Sequence, residues 1–190
     1  MTGQIDWQWK LREAVDTIKA RYDQIGRKSG APFLAIVYPP EAEAAVLKEW
    51  HVLASTLSPE FDVRTVDVLA TTAAALDELG CENVVDAMVS PMPGSNPQTE
   101  LAVLWINAVA SRVKELATQG TSGRPVVALQ ALAALYPVAG PRDVMQQLWD
   151  SADAVANVPV IVLIPGTLRE RKVYSFLNCR DELMYRGDIL

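Results

Sequence analysis

The sequence predicts an α/β fold: a single domain over residues 1–190, built on a mainly parallel, Rossmann-like sheet of four to five strands flanked by helices. Three observations predict it. Short apolar runs alternate with longer segments of helical periodicity, the pattern of strand–helix–strand crossovers. The runs are hydrophobic throughout instead of alternating with polar residues, as strands covered on both faces require. Half of the residues are hydrophobic and 21% are charged, which supplies one sizeable core.

The first segment is an amphipathic helix. Leu11, Val15, Ile18, Tyr22 and Ile25 recur at helical spacing, and Gly26 is its stop signal. Lys10, Arg12, Lys19 and Arg21 fill the other face, expected to be solvated. Trp7 and Trp9 precede the stripe, either as anchors for a partner or as packing at the helix start. Phe33 to Tyr38 is the first strand, ended by Pro39 and Pro40. A helix follows, with Val46, Leu47, Trp50, Leu53 and Leu57 inward, and Val63 to Leu69 is the second strand.

Thr71 to Leu79 reads as a short helix stopped by Gly80, and Ser90 to Ser95 as a loop holding two prolines and a glycine. Asn96 and Pro97 are suited to cap and open a long helix whose buried side carries Leu101, Leu104, Trp105, Ala108, Val113 and Leu116. Val126 to Leu132 is the third strand. After the loop at Tyr136-Pro137, a helix turns Val144, Leu148 and Ala152 inward. Val158 to Ile164 is the fourth strand, expected to end at Pro165-Gly166. The tail adds one or two short strands, at Val173 to Phe176 and near Met184-Tyr185-Arg186.

Composition limits the chemistry. The formal net charge of −6 opposes a broad phosphate-binding surface, so direct DNA binding, through the basic face of the first helix, is disfavoured. One histidine, His51, and two separated cysteines, Cys81 and Cys179, provide no zinc pattern, no metal is expected, and a reducing compartment fits. The amino terminus has no signal-peptide pattern and no apolar run is long enough to span a membrane, so the expectation is a cytoplasmic chain without membrane partners.

Folds of this class bind ligands beyond the carboxyl ends of their strands. At the first junction Pro39 and Pro40 lack the amide hydrogens a phosphate cradle needs, and Glu41 adds repulsion. Neither a GxxxxGK[ST] loop nor a GxGxxG fingerprint occurs, so no phosphate-binding loop and no cofactor are expected. Arg142, at a helix start, is either an anion contact or a helix-end arginine. Pro165, Gly166 and Thr167, followed by Arg169, are the best-placed ligand candidates; the alternative is a tight turn that uses glycine for its dihedrals alone. His51 lies mid-helix, Cys179 has Arg180 beside it but no evident base, and no GxSxG elbow or D-x-D spacing exists. The residues therefore point away from an enzyme.

Several strings carry a family resemblance. Leu135-Tyr136-Pro137 after a strand, the run Val158 to Ile164 leading into Pro165-Gly166-Thr167, then Phe176-Leu177 and Tyr185-Arg186, resemble the BrxB family of BREX phage-defence systems. Pro32-Phe33 and Val66-Asp67-Val68-Leu69 are similar in layout in the first half. The chain departs from the family pattern after Thr167, where Leu168-Arg169-Glu170-Arg171 replaces an aromatic residue and an acidic-glycine turn. The resemblance implies a non-catalytic adaptor or scaffold subunit. Its partners would be other BREX-type subunits: an alkaline-phosphatase-like protein, an AAA-type ATPase and a DNA methyltransferase. Candidate partner-binding residues are Trp7, Trp9, Tyr136, Tyr185 and Arg186. The alternative is a small-ligand or anion sensor, or an enzyme, using a pocket at the carboxyl ends of the third and fourth strands.

Overall fold

In the computed structural model the sequence's apolar runs lie side by side in one mostly parallel sheet between two layers of helices. The structure describes residues 3–25, 30–120, 122–151, 157–184 and 186–190. Gly26, Ala152 and Tyr185 lie outside the described residues. In chain order the elements are α1 (Gly3–Arg21), β1 (Phe33–Tyr38), α2 (Glu43–Ser55), β2 (Phe61–Asp67), α3 (Val68–Leu79), α4 (Cys81–Val89) and α5 (Pro97–Thr118). There follow β3 (Arg124–Gln130), α6 (Pro141–Asp150), β4 (Val160–Glu170), β5 (Val173–Phe176), β6 (Arg180–Leu183) and β7 (Asp188–Ile189).

The strand order is β2-β3-β4-β1-β7, parallel at every step. Continuous hydrophobicity now has its explanation. In β1, Leu34, Ile36 and Tyr38 enter one core with α1 and α2, while Phe33, Ala35 and Val37 enter the other with α5 and α6. In β4, Ile161 and Leu163 join the first core, and Val160, Val162 and Ile164 the second. From β1 the chain crosses to the far edge through α2, then returns through β3 and β4 by way of the opposite helical layer. Reversing direction while keeping one crossover hand puts the returning helices on the other face.

Several boundaries differ from the sequence reading, each for a local reason. The second strand spans Phe61–Asp67 instead of Val63 to Leu69, because the Asp67 side chain accepts from Ala70 N at 3.0 Å and so starts α3 at Val68. The third ends at Gln130, where Ala131 takes a positive φ of 57° and a 3-10 turn, Leu132–Leu135, begins. The fourth does not stop at Pro165-Gly166. It runs to Glu170, and its outer half pairs antiparallel with β5, which in turn pairs with β6. Gly80 does stop a helix, but α4 follows it at once, and none of α4's residues is buried. Lys10, expected on a solvated face, is buried, with Nζ donating to Val37 O at 3.1 Å and paired with Asp6 at 2.9 Å.

Candidate functional site

The place to search is the carboxyl edge of the sheet, where β1 leads to α2 in one helical layer and its neighbour β4 runs on into the β5–β6 hairpin, whose Tyr174 and Phe176 join the opposite core. Such a switch point opens a crevice in ligand-binding members of this architecture. Here the edge is occupied by the chain's own side chains.

Beyond β1, Pro39 opens a 3-10 turn, Pro40–Ala42, and the buried Tyr38 hydroxyl donates to Glu43 Oε1 at 3.3 Å. Burial, and then the Glu43 charge, push the Tyr38 phenol above its ordinary value, so it stays a neutral donor. Beyond β2, the two oxygens of Asp67 are divided between the α3 amino terminus and Gln130, whose Nε2 donates to Oδ2 at 3.2 Å. Neither contact leaves that helix start open to an anion.

The start of α6 is filled more completely. Gly140 N donates to Asp143 Oδ2 at 2.8 Å, Arg142 N donates to Glu182 Oε2 at 3.0 Å, and the Tyr174 hydroxyl donates to the same oxygen at 2.7 Å. Arg180 Nη2 holds Asp143 at 3.0 Å. Its Nε stands 3.2 Å from Glu182 Oε1 but off the hydrogen-bonding direction, which leaves that buried oxygen with an ion-pair neighbour and no hydrogen bond. Desolvation raises the Glu182 carboxyl above its usual range, against the lowering effects of Tyr174, the Arg142 amide and Arg180. A carboxylate carried by β6 thus sits where a bound anion would meet the helix dipole. Gly140 makes this possible, since a Cβ there would collide with the Glu182 carboxylate.

The residues singled out in the sequence distribute as follows. Pro165, Gly166 and Thr167 lie inside β4, with no turn among them. Gly166 does permit a close approach, but of the Ser175 carbonyl on β5, which a Cβ would strike. Thr167 Oγ1 donates to Asn178 Oδ1 at 2.6 Å, and Arg169 is exposed on the outer half of the strand. Arg142 gives its amide to Glu182, and its residue lines a small recess of about 30 Å³ with Phe33 and Trp149, away from Gly166. The proposed ligand set is therefore not brought together. Trp7 is a core residue at 4% exposure and cannot serve as a partner anchor without unpacking α1. Trp9 and Tyr136 are exposed, and Arg186 lies over the Trp149 ring at 3.8 Å.

Sequence reasoning missed an open cleft of about 530 Å³ along β2, the outer strand of the sheet, with Trp50, His51, Ser55, Arg64 and Thr65 in its walls. Trp50 is buried and its Nε1 has no hydrogen-bond partner. Arg64 is committed to structure, with Nη1 donating to Leu116 O at 2.7 Å and Gln119 O at 3.0 Å and Nη2 to Gly120 O at 3.1 Å. No spacing signal marks this cleft, because its walls come from α2, the turn at Ser58-Pro59, β2, the segment after α5 and Gln130 at the end of β3. Among the described residues no group of His, Cys, Asp and Glu could hold a metal ion.

Fold and edge together define a class: a Rossmann-like α/β domain whose usual ligand end is filled from within. Comparison with family models, with curated proteins and with solved structures gives no match for this chain.

Proposed function

We propose that this chain is a non-catalytic adaptor or scaffold subunit of a BREX-type phage-defence complex. The observation that supports it is the self-occupied carboxyl edge, with Asp67 on the start of α3 and Glu182 on the start of α6. Those are the positions from which a nucleotide-binding sheet recruits phosphate. The assignment to BREX comes from the resemblance of Leu135-Tyr136-Pro137 and of the run into Pro165-Gly166-Thr167 to the BrxB family. A protein of this kind works through its surface, and the exposed Trp9 and Tyr136 are contact residues suited to that role. Large aromatics are among the side chains whose loss costs an interface most.

Co-expression with the phosphatase-like, ATPase and methyltransferase subunits of a BREX cluster tests the reading. At least one should co-elute with this chain on size exclusion, and Trp9→Ala or Tyr136→Ala should weaken that co-elution while leaving thermal unfolding unchanged. Separate elution from all three subunits would rule the proposal out. No helix among the described residues is long and apolar enough to cross a membrane.

A further inference from the structure

The parallel sheet ends differently on its two sides. Beyond β1 the last strand is β7, only two residues long. On the other side it is β2, seven residues long and paired only with β3. Along such a strand, successive residues turn their backbone groups to opposite sides. Arg124 N donates to Glu60 O at 2.9 Å, so Glu60 and, in step with it, Asp62, Arg64 and Val66 bond toward β3. The groups of Phe61, Val63 and Thr65 therefore point outward. Phe61 N is taken by Leu57 O at 3.0 Å. Among the described residues nothing pairs with the outward N–H and C=O of Val63 and Thr65.

Both residues line the cleft of about 530 Å³, and β2 divides its walls. Val63 packs with Trp50 and Ala54 against the core under α2, so that side is largely apolar. Arg64 turns the opposite way, to the carbonyls of Leu116, Gln119 and Gly120, with its Nε on Asp62. Together with Ser122 these two side chains make the second wall polar. Charged side chains commonly guard an edge strand against added strands. Here Asp62 and Arg64 are held to each other and to the end of α5, which leaves the outward backbone of Val63 and Thr65 facing the cleft.

We infer that the outer edge of β2 takes an extended segment of a partner protein as an added strand, its side chains alternating apolar toward α2 and polar toward the end of α5. The backbone dictates the conformation of the occupant. Donors and acceptors repeating at every second residue are matched by another strand, whereas a helix spends its own backbone groups internally. The walls dictate the alternation, because successive side chains of an added strand would face Trp50 and Ala54 on one side and Asp62, Arg64 and Ser122 on the other. A second copy of this chain carries the same walls beside its own β2, so pairing the two edges would bring wall against wall. The inference deepens the adaptor reading, on which it rests for the existence of a partner.

The probe is a synthetic peptide of the length of β2, alternating valine with threonine and closed by lysine at both ends, titrated against the full chain by fluorescence anisotropy. Two N-methylated forms accompany it, one blocked at the valine amides and the other at the threonine amides. In an added strand one of these sets faces β2 and the other faces away. The unmodified peptide and one methylated form should bind, and the other form should bind roughly tenfold or more weakly, having lost its hydrogen bonds to the edge. Thr65→Pro removes an outward N–H that β3 does not use, so it should keep the thermal transition and weaken the unmodified peptide by about tenfold or more. Amide exchange of the wild-type chain needs no variant. The peptide should slow exchange at Val63 and Thr65 roughly tenfold or more and leave Arg64 and Val66, already bonded to β3, unchanged. No binding of the unmodified peptide, equal binding of the two methylated forms, full affinity in a folded Thr65→Pro, or unaltered exchange at Val63 and Thr65 would each overturn the inference. Peptide titration reads this edge alone, whereas the co-elution experiment reads the adaptor role, so failure of one is distinguishable from failure of the other.

Discussion

Glu182 concentrates the protein's electrostatics at one atom pair. It is nearly fully buried, accepts from Tyr174 and from the Arg142 amide, and sits in a space that exists only because residue 140 is glycine. None of this is legible in the sequence, where Glu182 is one scattered acid forty positions from Arg142. The partnership is made by a β-hairpin folding back, not by spacing. Arg142 was legible as a residue at a helix start, but the anion that meets its amide is internal. Because burial raises the Glu182 carboxyl above its usual 4.5, the native state keeps a proton at pH values where the unfolded chain has lost it. The contribution of this group is therefore full below the unfolded value and declines as pH rises through the folded one. Glu182→Gln removes that titration. In urea unfolding followed from pH 4 to pH 8, the variant's stability relative to the wild type should increase with pH; a constant difference would show that the carboxyl is not raised.

At the scale of elements, β2 and α5 are tied together by Arg64. Its guanidinium spans three carbonyls, of Leu116, Gln119 and Gly120, at the carboxyl end of the helix, and its Nε reaches Asp62 Oδ2 at 2.8 Å. A cation there answers both the helix dipole and carbonyls left open by the helix end. Charged hydrogen bonds of this kind contribute on the order of 1.5–3 kcal/mol. Arg64→Met keeps the aliphatic stem and should lower the unfolding free energy by about 2 kcal/mol. Arg64→Lys should lower it by less, because an ammonium cannot span three acceptors in a plane. Denaturant midpoints at constant slope would measure both, and equal stability of all three proteins would remove the tether from the account. Strand existence was legible from apolar runs, but strand ends were not. Val68-Leu69 reads as strand until Asp67 is seen capping a helix, and Pro165-Gly166 reads as a stop until β5 is seen pairing beyond it. Each end is decided by a partner distant in sequence.

Across the whole molecule, a doubly wound sheet without phosphate loops was readable from alternation of periodicities and from Pro39-Pro40, where free amides would be needed. What was not readable is how the empty cradle is resolved. Helix starts that could hold a ligand are met instead by Asp67, Asp143 and Glu182, and the close approach at Gly166 is taken by Ser175. The surface left for recognition shifts accordingly, toward Trp9, Tyr136 and the open edge of β2. The starts of α3 and α6 at the carboxyl edge are already occupied by the chain's own carboxylates. Thermal unfolding of the full chain with millimolar ATP, NAD or inorganic phosphate tests it most directly. A ligand present at about a hundredfold its dissociation constant adds about 2.7 kcal/mol, or roughly 5–10 °C for a domain of this size. The transition should not rise with any of the three, and a rise that grows with ligand concentration would show that the edge is open to a ligand.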